Sequence, residues 1–107
     1  MDVVFITQKA DTPWLPTVEK RAEFEDFLES KIDHKVIFLP QGCVPCMQEI
    51  GGETLVLIEQ HSMAAKVSEE AQKEVIDEIR EKIGNRAFFL PPACNLSVIT
   101  LGGNGIA

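Results

Sequence analysis

The chain of 107 residues is poor in features that define several common classes of protein. It has ten Lys and Arg residues against seventeen Asp and Glu residues, which gives a net charge of −7. This balance argues against a nucleic-acid-binding surface, because such surfaces need clustered basic side chains. No apolar run is long enough to cross a bilayer, and residues 1–11 lack the layout of a signal peptide. We therefore expect a cytoplasmic protein with no membrane partner and no nucleic-acid partner.

Cysteines are also few. Cys43, Cys46 and Cys94 make an odd number, and a reducing compartment would keep them as thiols. A disulfide scaffold is therefore not expected. With 45% hydrophobic residues, the chain is long enough for one compact domain covering residues 1–107.

What the sequence does contain is an internal repeat. Shifted by 51 positions, residues 17–53 align without a gap on residues 68–104, and eleven of the 37 positions are identical. Chance would give roughly two identities. With one further residue of shift, residues 2–9 align on residues 54–61. The alignment predicts a single domain made of two repeats, residues 1–53 and 54–107.

Both repeats show the same succession of patterns. A short run of branched residues indicates a strand, an amphipathic helix follows, and a buried strand and one more strand come before a Gly-Gly pair. We therefore predict an α+β fold of two duplicated β-α-β-β units. The expected assembly is one sheet with both helices on one face, ferredoxin-like in broad layout.

The two predicted helices have recognisable ends and faces. Thr17 and Ser68 are the expected N-caps, and Gly84 stands at the position of a C-terminal cap. The predicted buried stripes are Phe24, Phe27, Leu28 and Ile32 in the first helix, and Ala71, Val75, Ile76, Ile79 and Ile83 in the second. Each helical region holds six acidic and three basic residues, which we interpret as solvated outer faces. An acidic surface for a basic protein partner is the alternative.

The segment "VIFLPQGCVPCMQEI" resembles thioredoxin-like proteins, in which a hydrophobic strand leads into Cys-x-Pro-Cys. That resemblance implies a nucleophilic Cys43 and a resolving Cys46. In the repeat, however, Cys43 corresponds to Cys94 while Cys46 corresponds to Ser97, and the nearby Gly-Gly pair leaves no room for a long helix. Thiol–disulfide exchange by Cys43 and Cys46 is therefore kept as the alternative function.

Zinc binding is a further alternative, with Cys43, Cys46 and Cys94 as ligands and His34 or His61 completing the site. A second Cys-x-x-Cys or Cys-x-x-His pair would strengthen this signal, and the sequence has none. In a sheet with a pseudo-two-fold axis, the turn that carries Cys43 and the turn that carries Cys94 would lie far apart, so Cys94 would not reach Cys43. No Ser-His-Asp or Cys-His signature indicates a catalytic site, and no cofactor is expected.

A duplicated glutamine indicates a ligand site. Gln8 and Gln60 each end a predicted strand, which is where α/β folds gather binding groups. Together with their neighbours Lys9 and His61, they could contact a small polar or anionic ligand such as a nucleotide. Simple solvation of the strand ends is the competing interpretation.

The overall texture, a branched strand, an acidic helix, then "FLPPAC" and a short strand, resembles that of short proteins carried by bacteriophages and mobile elements. This resemblance implies a small accessory protein that acts by binding. We predict a non-enzymatic binding or interaction protein that binds or sequesters a small ligand or a host protein. A homo-oligomer is expected, because a small open sheet leaves edges that pairing can bury.

Overall fold

The computed structural model describes residues 3–9, 17–61, 67–99 and 101. In this part of the chain two helices and five strands follow the order β1 (Val3–Gln8), α1 (Val18–Lys31), β2 (Lys35–Gln41), β3 (Cys43–Ile50), β4 (Glu53–Gln60), α2 (Glu69–Ile83) and β5 (Ala87–Phe89). The α+β class is as predicted. Neither helix is long and apolar enough to cross a membrane, within the ranges described.

The strands form two sheets, and the prediction of one sheet is wrong. β1 and β2 pair in parallel as one sheet, and β3, β4 and β5 form the other. In the second sheet β3 runs antiparallel to β4, and β5 runs parallel to it. Each helix therefore connects two directly paired parallel strands. A ferredoxin-like layout is built from split β-α-β units, so this topology does not confirm it.

The last strand predicted in each repeat forms only in the first repeat. β3 pairs with β4 along its full length. Gly51 and Gly52 close this hairpin with φ angles of 62° and 82°, as the common two-residue hairpin turns require. Residues 94–99 and 101 of the second repeat form no strand. The chain after β5 has no hairpin partner in the described residues, so the last strand predicted in the second repeat, residues 96–101, does not form over its described residues 96–99 and 101.

The core lies where α2 packs against the strands. The buried cluster consists of Ile37, Leu39, Cys43, Val56, Ile58, Val67, Val75, Ile79 and Ala87. The predicted face of α2 is confirmed, because its five apolar residues lie in this cluster or pack against it. Its ends are confirmed too. The Ser68 Oγ accepts the Ala71 N–H at 3.1 Å, and Gly84 ends the helix with φ of 80°.

α1 begins as predicted but turns a different face inward. The Thr17 Oγ1 accepts the Lys20 N–H at 3.1 Å, as expected of an N-cap. Phe24 and Phe27 are 46% and 54% exposed, and their rings stack on each other with centroids 6.4 Å apart. Their assignment to the buried stripe is therefore wrong. Glu25, only 8% exposed, takes the inward position.

Hydrogen bonds to the edge of β2 explain this orientation of α1. Glu25 Oε2 accepts the Phe38 N–H at 2.7 Å, and Glu29 Oε2 accepts the Val36 N–H at 2.8 Å. Four residues span about 6 Å along a helix, and two residues span about 6.6 Å along a strand. The spacing of the two carboxylates therefore matches that of the two amides, and α1 seals the outer edge of β2.

Lys82 of α2 completes this contact. Its Nζ lies 3.3 Å from Glu25, 2.9 Å from Glu29 and 3.3 Å from Glu78, and it donates to the Val36 carbonyl at 2.6 Å. We call Lys82, Glu25, Glu29 and Glu78 the Lys82 cluster. The interpretation of the helix acids as solvated outer faces fails for these three glutamates, because they lie between the helices and β2.

Candidate functional site

Gly42 lies where the ends of three strands meet. It is the single residue between β2 and β3 and has φ of 76°, a conformation that favours glycine. Its N–H donates to the Gln8 carbonyl at 2.9 Å, and its carbonyl accepts the His61 N–H at 2.8 Å. The end of β1, the β2–β3 turn and the end of β4 are therefore held together at this residue.

The turn after β5 has the same local geometry. Ala93 has φ of 63°, and its N–H donates to the Gln60 carbonyl at 2.8 Å. A left-handed residue other than glycine is uncommon. Ala93 aligns with Gly42 in the internal repeat, and Gln60 aligns with Gln8. The same backbone hydrogen bond therefore occurs at positions that the sequence alignment pairs.

Two clefts open beside these turns. The first cleft, about 190 Å³, lies at the end of β1, and the second cleft, about 290 Å³, lies between the end of β4 and the turn after β5. Gly42, Val44 and His61 line both. The first cleft is completed by Thr7, Gln8, Lys9 and Cys43, and the second by Glu59, Gln60, Ala93, Cys94 and Asn95. The turns at Gly42 and at Ala93 therefore both line the second cleft, and the expectation that these two turns lie far apart is wrong.

The four residues predicted to bind a ligand all line these clefts. Gln8 and Lys9 line the first, Gln60 lines the second, and His61 lines both. They are brought together because Gly42 joins the ends of β1 and β4. The residues reached by sequence reasoning thus lie side by side, although the sheet was predicted differently.

The two glutamines have different surroundings. Gln60 is buried; its Nε2 donates to the Leu90 carbonyl at 2.8 Å, and its Oε1 accepts the Val67 N–H at 3.5 Å. Its amide therefore connects β4 to neighbouring segments. The Oε1 of Gln8 is buried and has no hydrogen-bond donor within the described part of the chain. An unsatisfied buried acceptor costs about 1–3 kcal/mol, so the Gln8 side chain would gain from a hydrogen-bond donor.

Cys43 and Cys46 lie on opposite faces of β3. Successive side chains of a strand alternate, and residues three apart have Cα atoms about 10 Å apart, beyond the roughly 7 Å that a disulfide spans. Burial raises the pKa of the Cys43 thiol to about 11, which keeps it protonated at neutral pH. Thiol–disulfide exchange needs a thiolate and a partner thiol within reach, so this geometry gives the thioredoxin-like alternative no support.

The proposed zinc ligands are not gathered at one point. Cys43 is buried beside the first cleft, Cys46 is half-buried on the other face of β3, and Cys94 is exposed beside the second cleft. His34 follows α1, with its Nδ1 2.6 Å from the Asp33 carbonyl. In the residues that can be described, no group of three or more His, Cys, Asp or Glu side chains is placed to hold a metal ion.

Sequence reasoning missed several residues of the clefts. Gly42 and Val44 line both clefts but were not singled out. A signal for Gly42 existed, because the internal alignment pairs it with Ala93 immediately before the shared cysteine. Asn95 had no such signal, since the turn after β5 alone brings it to the second cleft.

No protein-family model matches this chain, and neither a curated protein nor a solved structure matches it. The resemblance to bacteriophage and mobile-element proteins therefore stays a prediction.

Proposed function

We propose that this chain is a non-enzymatic binding protein and that the first cleft is its ligand site. The observation that carries the proposal is the buried Oε1 of Gln8, which has no donor among the described residues. Once the Gln8 side chain turns this oxygen into the cleft, a ligand with an N–H or O–H group would satisfy it. Pockets that bind small molecules are concave and carry a few convergent polar groups of this kind.

The lining of the first cleft favours a small polar ligand that also carries an anionic group. Lys9 is exposed beside Gln8 and supplies a positive charge, and His61 adds ring nitrogens. A volume of about 190 Å³ admits a compact molecule or one end of a larger one. Free amino acids and nucleoside monophosphates combine a donor with an anion, and sequestering such a ligand requires no catalytic group.

Native mass spectrometry of protein purified from cells tests this proposal, together with thermal shifts in a panel of free amino acids and nucleoside monophosphates. We expect a carried small molecule or a rise in Tm with at least one panel member. Gln8→Leu is expected to abolish either signal. Gln48→Leu, on β3 outside both clefts, is the matched control and is expected to keep it. A native chain without adduct and without any shift would rule out the proposal.

We also propose that the two β-α-β units arose by duplication. Their strand registers support this, since the first pairs Val4 with Val36 and Ile6 with Phe38, and the second pairs Val56 with Ala87 and Ile58 with Phe89, all at aligned positions. The matching hydrogen bonds of Gly42 and Ala93 support it further. Under this proposal the two clefts derive from one ancestral site, and the first cleft retains a glutamine oxygen that can bind a ligand.

The proposed assembly is a homo-oligomer formed through one face of the β3-β4-β5 sheet, on which Leu57 is already buried and the exposed apolar side chains include Val44 and Phe88. Cys46, Leu57 and Phe88 lie in one row across the three strands, on the face opposite the residues that pack with α2. Phe88 is 44% exposed and Val44, two residues before Cys46, is 51% exposed. A second copy could bury this apolar surface. A host protein is the alternative partner for this sheet face, as the bacteriophage resemblance implies. A basic protein would complement the negative charge of the helices.

Sedimentation velocity tests the proposed assembly. We expect the native chain to sediment as an oligomer and Phe88→Ser to shift it towards the monomer. Phe27→Ser removes an aromatic ring of similar exposure from α1 and is expected to leave the oligomer unchanged. A native monomer at high concentration would contradict the homo-oligomer.

A further inference from the structure

The Lys82 cluster sets three carboxyl groups around one ammonium group where α1, α2 and β2 meet. The side chains of Glu25 and Lys82 are 11% and 21% exposed, and that of Glu78 is 30% exposed. With every group ionised the cluster has an excess of negative charge. Carboxylates that share a poorly solvated site resist ionising together, so one of the three is expected to retain a proton.

Glu78 is the member with the least stabilisation of its anion. Glu25 and Glu29 each accept a backbone N–H of β2, whereas no backbone N–H of the described residues donates to Glu78. Burial and a hydrogen bond to Glu25 raise the pKa of Glu78 to about 7, although Lys82 opposes the shift. In this Glu25–Glu78 pair the protonated Glu78 carboxyl donates a hydrogen bond to Glu25.

Other charged groups face this pair from each element packed around it. They are Arg21 and Glu29 on α1, Glu74 and Lys82 on α2, and Lys35 on β2, whose charge acts on Glu29. Arg21 and Glu74 line one cavity of about 200 Å³ with Glu25 and Glu78. Because Arg21 and Glu74 have opposite charges, together they leave the charge balance of the Lys82 cluster unchanged.

We propose that the Lys82 cluster is a proton-operated latch that fastens α1 and α2 to the outer edge of β2. With a proton on the Glu25–Glu78 pair, Glu78 donates to Glu25, and Glu25 continues to accept the Phe38 N–H. Loss of that proton makes Glu78 and Glu25 two carboxylates that repel each other. The single positive charge of Lys82 must then compensate three negative charges. The hydrogen bonds that Glu25 accepts from the Phe38 N–H and that Glu29 accepts from the Val36 N–H then weaken. This latch is independent of the first cleft and of any ligand.

Hydrogen exchange at the Val36 and Phe38 amides tests the latch, because side chains, not a neighbouring strand, accept these two N–H groups. We expect their protection factors, corrected for intrinsic exchange, to fall about tenfold or more between about pH 5.5 and about pH 8.5, on either side of the titration of Glu78. Glu78→Gln keeps a donor towards Glu25 without a titrating proton, and is expected to make the protection independent of pH. Glu81→Gln, at an exposed position of α2, is expected to behave like the native chain.

Constant protection in the native chain, or an undiminished fall in Glu78→Gln, would overturn the proposal. A second measurement needs no variant and can be made even if Glu78→Gln does not fold. The carbon-13 shift of the Glu78 carboxyl, followed by NMR in the native chain, is expected to titrate near pH 7. A midpoint near the ordinary value of 4.5 would equally overturn it.

Discussion

Replacing Lys82 by Met tests the contact between the helices and β2 most directly. The Lys82 Nζ has three carboxylates and the Val36 carbonyl within 2.6–3.3 Å. Met keeps most of the apolar stem, so the change removes the charge and its hydrogen bonds with little loss of packing. It leaves Glu25 and Glu29 without their cation and the Val36 carbonyl without this donor.

The expected loss is large for a chain of this size. Removing one partner of a buried ion pair costs about 3–5 kcal/mol, against a total free energy of unfolding of about 5–15 kcal/mol for a typical domain. The Lys82 side chain is 21% exposed, so water compensates part of the loss, and we expect about 3 kcal/mol at neutral pH. The loss should shrink in mild acid, where the orphaned carboxylates take up protons.

Urea denaturation followed by circular dichroism gives the free energy of unfolding for the native chain and for Lys82→Met. Lys73→Met is the matched control, because the Lys73 side chain is 81% exposed and lies 3.9 Å from Asp77. Exposed pairs of this kind contribute about 0–1 kcal/mol. A loss below about 1 kcal/mol for Lys82→Met, or equal losses for the two variants, would show that Lys82 does not hold the helices on β2.

The pH dependence of stability has two parts of opposite sign. Glu78 has a pKa raised from 4.5 to about 7 by burial and by Glu25, so its contribution is fully present below pH 4.5 and is lost as the pH rises through 7. The shift corresponds to at most about 3 kcal/mol. The Val36 N–H lowers the pKa of Glu29 despite its partial burial, so its contribution is present above pH 4.5 and is lost in acid. We expect maximal stability in mildly acidic solution.

Two further predictions concern the turn around Gly42. Alkylation with iodoacetamide at neutral pH, followed by mass spectrometry, is expected to modify exposed Cys94 first and buried Cys43 last. The reason is that burial raises the pKa of Cys43 to about 11. Rapid modification of Cys43, or a Cys43–Cys46 disulfide formed with diamide, would contradict the described β3. Gly42→Ala is expected to lower the free energy of unfolding by about 1 kcal/mol because its φ is 76°, and an unchanged urea midpoint would argue against that turn.

The helices show why only part of the fold was predictable. α2 was predicted with its face and both caps, because its apolar residues recur at helical spacing and all find the same core. α1 has apolar residues at helical spacing too, yet Phe24 and Phe27 are exposed. Its orientation depends on the Phe38 and Val36 N–H groups of β2, which donate to Glu25 and Glu29, and no pattern within the helix reveals those amides.

The site shows a similar division. The duplicated glutamines and the strand-end rule led to Gln8, Lys9, Gln60 and His61, which do line neighbouring clefts. Their unequal roles could not be predicted, because the bonds of Gln60 go to Leu90 and to Val67, at a distance along the chain. The distance between the two turns was predicted wrongly, since it depends on how Gly42 joins the sheets.

Spacing along the chain was enough to predict the two helices, their caps and the two similar β-α-β units, because these depend on interactions between residues close in the chain. Only the folded structure shows which face of α1 is buried, that the strands form two sheets, and that Gln8 rather than Gln60 has a side-chain oxygen without a donor among the described residues. Each of these depends on backbone groups that distant segments leave unpaired, and a buried polar group must find its partner wherever the fold supplies one.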